Sequence, residues 1–376
     1  MARHNRTAAP MPLETSATLG PVRRTYSRTE DFPPMAKAYS EVSRVARETG
    51  LYARAPRFYA AVGIGLTLAF GGAVTGFILL GASWFQLLIA GALGIIFTQV
   101  AFLAHEAAHR QILTGGPASD RLARVLAASI GLSASWWNNK HSRHHGNPNR
   151  VAKDPDIEID TISFLEDDAA TARGLRRAIT RKQGWLFFPL LMLEGLNLHF
   201  RSLQYLLTPG KVKGRWIELS LIVVRFALYL TPIFLLLPFG MACAFLGVQM
   251  AVFGVYMGAS FAPNHKGMPI IAPDAKLDFF TKQVRTSRNI RGGWWATALM
   301  GGLNYQIEHH LFPNMARPHL ARASQIVREF CASRGVPYTE TSLGRSYVIV
   351  VQYLNRVGLA ARDPFDCPAA AQFGRG

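Results

Sequence analysis

Cysteine is scarce in this chain, three residues in 376, and Cys243, Cys331 and Cys367 show no paired spacing and no Cys-x-x-Cys. That excludes a disulfide framework and a thiolate metal site. Acidic residues are also few, 23 against 41 Lys and Arg. Two long stretches are almost free of positive charge: there is no Lys or Arg between Phe58 and Ala104, and only Arg225 between Leu219 and Ala262. A cleavable signal peptide is missing too, because the first 50 residues are polar, Arg-rich and Pro-containing and read as a flexible tail. The chain contains no dinucleotide-binding Gly-x-Gly-x-x-Gly in a strand-to-helix context, no ferredoxin cysteine run and no haem-binding His-Pro-Gly-Gly.

What fills the uncharged stretches is apolar. Phe58–Leu80 and Phe85–Ala104 each meet the roughly 20-residue requirement for crossing a bilayer as a helix, with only GASW between them. A second pair lies at about 217–239 and 241–262, again almost without a linker. Buried core helices of a soluble protein would give similar runs, but charge placement argues against them. All other basic residues fall on the N-terminal tail, the stretch Arg110–Trp216 and the C-terminal third, three regions that four spans would put on one side. By the positive-inside rule that side is cytoplasmic.

The expected fold is an all-α integral membrane protein, with four transmembrane helices in two hairpins and a cytoplasmic helical cap holding a histidine-rich dimetal site. Expected boundaries are a basic tail at 1–50, a membrane domain at 51–362 and a C-terminal tail at 363–376. Val125–Trp137 and Trp185–Phe200 are too short or too interrupted to span and are expected at the membrane interface. An amphipathic helix is expected near Leu320–Ala332. Arg225, about two turns inside its span, is expected to snorkel to the headgroups. The Gly and Ala residues of GIGLTLAFGGAVTG are expected to allow close helix packing. The net charge of +18 matches an anionic leaflet and acidic partners rather than nucleic acid.

The strongest signal is the placement of the 11 histidines. His105 and His109 in HEAAH share a helix face at i and i+4. His141, His144 and His145 in NKHSRHH have i, i+3, i+4 spacing. His309 and His310 in NYQIEHH form a third cluster, with Gln306 at the first place of that spacing. HEAAH alone also fits a zinc protease with Glu106 as base, or the Glu-x-x-His unit of a carboxylate di-iron bundle. The first leaves two clusters unused and has no Leu-Asp-Gly partner motif. The second needs another Glu-x-x-His, which is not found. The seven cluster histidines with His265 exceed what one catalytic zinc takes, and two ions would use them all. Asp154 and Asp156 of KDPDIEID suit either outer acceptors for imidazole N–H groups or a plain turn. His199 and His319 are expected near the site or at the surface, without a ligand role.

With HEAAH, NKHSRHH followed by DPDI, and LNYQIEHHLFP in this order, and two spans between the second and third, the sequence resembles the membrane fatty acid desaturases over roughly Arg57–Pro337. The likeness is greatest to the acyl-lipid, front-end-like branch with glutamine in its third box. The resemblance implies two irons (Fe2+/Fe3+), with O2 as co-substrate and two electrons, removing hydrogens from an acyl methylene pair. It implies His105, His109, His141, His144, His145, His309 and His310 as ligands and His265 as the extra ligand after the fourth span. Phe261 stands where relatives often have Asn, with Asn264 next to His265. Gln306 and Asn264 are then weak ligands or hydrogen-bond partners. The substrate would be a membrane lipid or acyl-CoA, and the electron donor a separate ferredoxin, or cytochrome b5 with its reductase, docking on the basic face. A hydroxylase of acyl chains, carotenoids or alkanes on the same scaffold is the alternative. High Ala and Arg usage suggests a bacterial cell membrane, with active site and both termini cytoplasmic.

Overall fold

A computed structural model of the chain describes residues 26–32 and 35–361. His4, Cys367 and the expected C-terminal tail lie outside the described residues. Helices dominate: α1 Ala38–Glu48, α2 Pro56–Leu80, α3 Gln86–Ala108, α4 Gly116–Ser129, α5 Ala134–Gly146, α6 Glu166–Ala170, α7 Gly174–Thr180, α8 Gln183–Leu191, α9 Glu194–Leu207, α10 Arg215–Leu236 and α11 Phe239–His265. Beyond them come α12 Phe279–Thr286, α13 Gly293–Leu299, α14 Gln306–Leu311, α15 Leu320–Ser333 and α16 Leu343–Leu359. Strands β1 Asn289–Arg291 and β2 Glu340–Ser342 pair in parallel, Ile290 opposite Thr341.

Four of these helices, α2, α3, α10 and α11, are long and apolar enough to cross a membrane. Their bounds fall within a few residues of those expected. Pro56 opens α2, where a missing N–H costs nothing. The α2–α3 turn is sealed by the buried Gln86, whose Nε2 donates to Phe77 O at 2.6 Å and Gly81 O at 2.9 Å, two carbonyls at the end of α2.

The expected close packing of the α2 Gly and Ala residues is met only in part. Around Gly63, Gly65, Gly71 and Gly72 of α2 a Cβ would meet nothing within 4 Å, whereas on Gly76 it would come within 2.9 Å of Ile89 Cδ1 of α3 and Ala73 is buried, so close packing is confined to the end of that stretch. Helix α3 also packs on α11, where a Cβ on Gly94 would come within 2.9 Å of Gln249 O. Helix α9 lies against α11, where a Cβ on Gly254 would come within 2.5 Å of Gly195 N. Small residues work where two backbones meet, and α2 presents most of its surface outward.

Two further expectations change. The stretch read as a flexible tail to residue 50 contains α1, whose Val42 and Ala46 are buried with Val327 and Phe312. That apolar face sits among charged residues, which hid it from a composition reading. Arg225 does not reach outward: its Nε donates to Ser129 O at 3.3 Å, and its guanidinium lies over the rings of Tyr229, Phe226 and Phe97 at 4.3, 5.1 and 5.2 Å. The last carbonyl of α4 and three aromatic faces stabilise the cation in place of water. Val125–Trp137 is split between α4 and α5 by Gly131, whose φ is +84°. Trp185–Phe200 is split between α8 and α9, and Leu320–Ser333 forms the expected amphipathic helix.

Candidate metal centre

Each histidine cluster sits on a helix whose register is pinned. His105 lies in the last turn of α3 and His109 is the residue that caps it. Helix α5 starts at Ser133, whose hydroxyl accepts from Trp136 N at 3.1 Å. The buried Glu218 of α10 accepts from Ser133 Oγ at 2.6 Å and Ser135 N at 3.2 Å, placing a carboxylate at the positive end of α5. His265 closes α11, and α14 carries His309 and His310.

The eight histidines converge into two groups. His105, His109, His141, His145 and His309 bring one nitrogen each within 4.8 Å of one another, and His144, His265 and His310 form the second. In the first group the Nε2 atoms of His105 and His109 lie 2.9 and 2.8 Å from His141 Nε2, and His145 Nε2 lies 3.1 Å from His309 Nε2. In the second, His265 Nε2 is 3.3 Å from His144 Nε2 and 2.9 Å from the Gln306 amide nitrogen. Stacked rings of His145 and His310, 4.2 Å apart, join the groups.

These contacts are poor hydrogen bonds and good coordination edges. One proton on His141 Nε2 cannot serve two facing nitrogens. With metal–imidazole bonds of about 2.0–2.1 Å, adjacent ligand atoms of a six-coordinate ion lie about 3.0 Å apart and opposite ones about 4.2 Å. His310 Nε2 is buried without a hydrogen-bond partner and completes the second group. The residues present therefore fit two first-row metal ions.

Charge agrees with that use. Burial, reinforced by neighbouring imidazoles, pushes His141, His145, His309 and His310 well below the ordinary histidine pKa, and burial holds His109 at about 4. At neutral pH these rings are uncharged and offer lone pairs. For His144 burial works in the same direction, but the carboxylates of Asp154 and Asp156 outweigh it and raise the pKa.

Outer partners hold the second group. Nδ1 of His144 meets Asp154 Oδ1 at 2.9 Å, Nδ1 of His265 meets Thr286 O at 2.9 Å, and Nδ1 of His310 meets Gln283 Oε1 at 2.8 Å. Each far nitrogen directed at an acceptor turns its Nε2 toward the centre. Asp154 also accepts from Asn149 N at 2.7 Å and Asp156 N at 2.9 Å, so the turn and acceptor readings hold together. Asn264 Nδ2 donates to Gln306 Oε1 at 2.9 Å and to Leu303 O at 3.1 Å, orienting the amide. His199 stays outside both groups, its two nitrogens facing Gly195 O and Ile130 O, and His319 faces Ala53 O.

Several functional residues were not legible. Glu106 is neither base nor bridge: Arg317 Nε donates to its Oε1 at 2.7 Å, a second guanidinium nitrogen donates to Oε2, and Tyr59 OH lies 3.3 Å from Oε1. This buried pair ties the first histidine helix to the segment after the third. Glu308, raised to about 7 by burial against the hydrogen bonds from Asn289 and Tyr338, frames α14. Arg317, Tyr59, Gln283 and Thr286 carry no motif spacing, and only three-dimensional proximity reveals them.

Beside the second group lies a cavity of about 370 Å³, touched by His141, His144, His265 and Gln306 and walled by Leu191, Met257 and Phe261. Trp137, stacked 5.3 Å from His141 and edge-on to Phe261 at 5.7 Å, lines this cavity together with Met257 and Phe261.

The profile of the family described as Fatty acid desaturase matches residues 82–342. The Delta(8)-fatty-acid desaturase of Helianthus annuus is 27% identical over 314 residues, 79% of this chain and 68% of the relative. The Acyl-lipid (9-3)-desaturase of Borago officinalis is 28% identical over 292 residues, 73% and 65% of the two chains. The Acyl-lipid (8-3)-desaturase of Rebecca salina is 29% identical over 255 residues, 65% and 58% of the two chains. The chain thus spans about two thirds or less of the length of these relatives.

Proposed function

The chain belongs to the fatty acid desaturase family, and on that premise we propose that it is an oxidoreductase that introduces a double bond into a fatty acyl chain at a His-ligated di-iron centre. The observation that carries the reading is the convergence of eight imidazoles into two groups with coordination-edge spacing, beside a largely apolar cavity. The proposed ligands are His105, His109, His141, His145 and His309 for one iron, and His144, His265 and His310 for the other, with Gln306 a weak ligand or hydrogen-bond partner beside them. Asn264 and Asp154 are hydrogen-bond partners, and Asp156 braces from farther out, 3.4 Å from His144 Nδ1. Two irons bound there supply the electron transfer and O2 activation by which –CH2–CH2– with O2, two electrons and two protons becomes –CH=CH– and two waters.

The chain's own residues do the positioning. Met257, Phe261 and Leu191 offer an acyl chain an apolar wall, while His144, His265 and Gln306 face the same space. Trp137 fixes the His141 ring by stacking and closes one side of the cavity, which keeps the methylene pair in line and limits water.

The proposed topology joins the four spans as two hairpins, α2 with α3 and α10 with α11, within a membrane domain at about 51–362. The remaining helices cap the metal centre on the cytoplasmic side, where the positive charge lies. Electrons come from a separate ferredoxin or cytochrome b5 system docking on that face. Charge reversal there with undiminished, salt-insensitive turnover would reject the docking arrangement. The bacterial membrane expected from composition is not mirrored in relatives from Helianthus annuus, Borago officinalis and Mus musculus.

The test pairs metal content of purified protein with fatty acid methyl ester profiles of a host expressing wild type or His309→Ala. About two irons per chain and new unsaturated esters, both reduced in the variant, are expected. A single zinc with an unchanged lipid profile would reject the reading, and hydroxylated esters would redirect it to the hydroxylase.

A further inference from the structure

Resting on the desaturase reading, we infer that a second, smaller cavity beside the first histidine group is a dioxygen site, so that O2 reaches the metal centre across a side-chain partition from the acyl chain.

This cavity is walled mainly by methyl groups. It measures about 30 Å³ and lies where α3, α4, α5 and α11 meet. Helix α3 contributes Ala101, Ala104 and Ala108, which share one face at i, i+3 and i+7, and α4, packed against α3, contributes Ala123 and Ala127. A buried water needs about 10–15 Å³ of such space, so the cavity takes a diatomic molecule or a pair of waters and no acyl chain. Trp137, Met257 and Phe261 line both this cavity and the larger one and form the wall they share. A molecule in the smaller cavity therefore need not pass the acyl chain to reach the histidines.

The polar groups of the wall choose between the two occupants. Of the five histidines in the first group only His105 lines this cavity. It is 3% exposed, its Nε2 faces His141 Nε2 at 2.9 Å, and its buried Nδ1 has no partner. With Nε2 given to a metal, Nδ1 carries the ring's proton and is a donor. Trp137 Nε1, which can only donate, is likewise buried without a partner. Asn138, the remaining polar residue of the wall, is exposed. The wall thus presents two unpaired N–H donors and no buried side-chain acceptor. A buried water makes about three hydrogen bonds, and here its own protons would find no buried side chain to accept them. O2 is apolar, has lone pairs and brings no proton, so it matches both the methyl wall and the donors. Held there, it lies one imidazole away from the first group.

The experiment uses the full chain, with xenon as the probe for an apolar gas. Crystals pressurised with xenon are expected to hold one atom in contact with Ala104, Ala127 and Trp137. In turnover assays over a range of oxygen pressures, Ala127→Leu, which fills the cavity, should exclude xenon and raise the KM for O2 about fivefold, while metal content and the KM for the acyl substrate stay within about twofold. Ala127→Val, a milder change should the first variant not fold, should raise the KM for O2 in the same direction by a smaller factor. A fixed water on His105 Nδ1 in a wild-type cavity that takes no xenon overturns the inference. An unchanged KM for O2 in a variant that no longer takes xenon overturns it as well, as does a shift in acyl chain-length preference in place of the oxygen effect. Each of these results leaves the desaturase standing. A wild-type chain that takes xenon into the cavity and yields no unsaturated product removes the desaturase reading, and the proposed role for O2 falls with it.

Discussion

Among the described residues the first histidine group has five imidazoles and no carboxylate in the group, with the buried Nδ1 of His105 lacking any partner. The second has three imidazoles and an amide, and all three rings have Nδ1 held by Asp154, Thr286 O or Gln283. One site achieves its geometry by number and the other by bracing. The group with fewer ligands is the one whose outer partners are built in, because with three rings each misoriented lone pair costs a larger share of the affinity. It also contributes more to the larger cavity, His144, His265 and Gln306 against His141 alone from the first group.

The sharpest break should come from the smaller group. His265→Ala is expected to lose the second metal, leaving about one ion per chain, and to abolish product, as measured by metal analysis and methyl ester profiling. If both ions remained, the assignment of His265 to the second group would fall. A large effect of a different kind is expected from Glu106→Gln. Leaving Arg317 buried without its countercharge should destabilise by about 3–5 kcal/mol, read as a lowered thermal midpoint in detergent, with Glu106→Gln/Arg317→Met recovering part of it. An unchanged midpoint would mean the pair does not tie α3 to the segment before α15.

Asp154→Asn should weaken the second ion by roughly 10–100-fold in chelator competition and leave the first nearly unchanged. Equal weakening of both would erase the distinction between bracing and number. The smallest effect is expected from Gln306→His. It adds a stronger donor where Asn264 already positions a side chain, so retention of the second ion should rise by less than about tenfold. A fall in retention would show that the site selects the amide.

Some of this architecture was readable because it is local. Hydropathy over 20 residues is a property of a segment, so the ends of α2, α3, α10 and α11 fell within a few residues of expectation. Spacing on one helix is equally local, so the intervals along the chain are enough to pair His105 with His109 and His141 with His145. Features that depend on a distant neighbour misled. Most glycines of α2 have the composition of a packed helix and open space around them, only Gly76 meeting α3 at Ile89, while Gly254 takes that role against α9. Arg225 has the position of a snorkelling residue, yet the end of α4 comes to it with Ser129 O and the aromatic rings enclose it. The Glu106–Arg317 pair joins residues 211 positions apart and has no sequence signature.

By itself the sequence determined four apolar spans, three histidine clusters and the concentration of positive charge outside those spans, since each follows from composition or helical period along one segment. Only the tertiary structure decided how those clusters divide. His141 and His145, just over one turn apart, face one group while His144 faces the other, and the adjacent His309 and His310 separate in the same way. About 100° of helix rotation per residue turns neighbouring side chains apart, and the destination of each depends on where α3, α11 and α14 dock against α5.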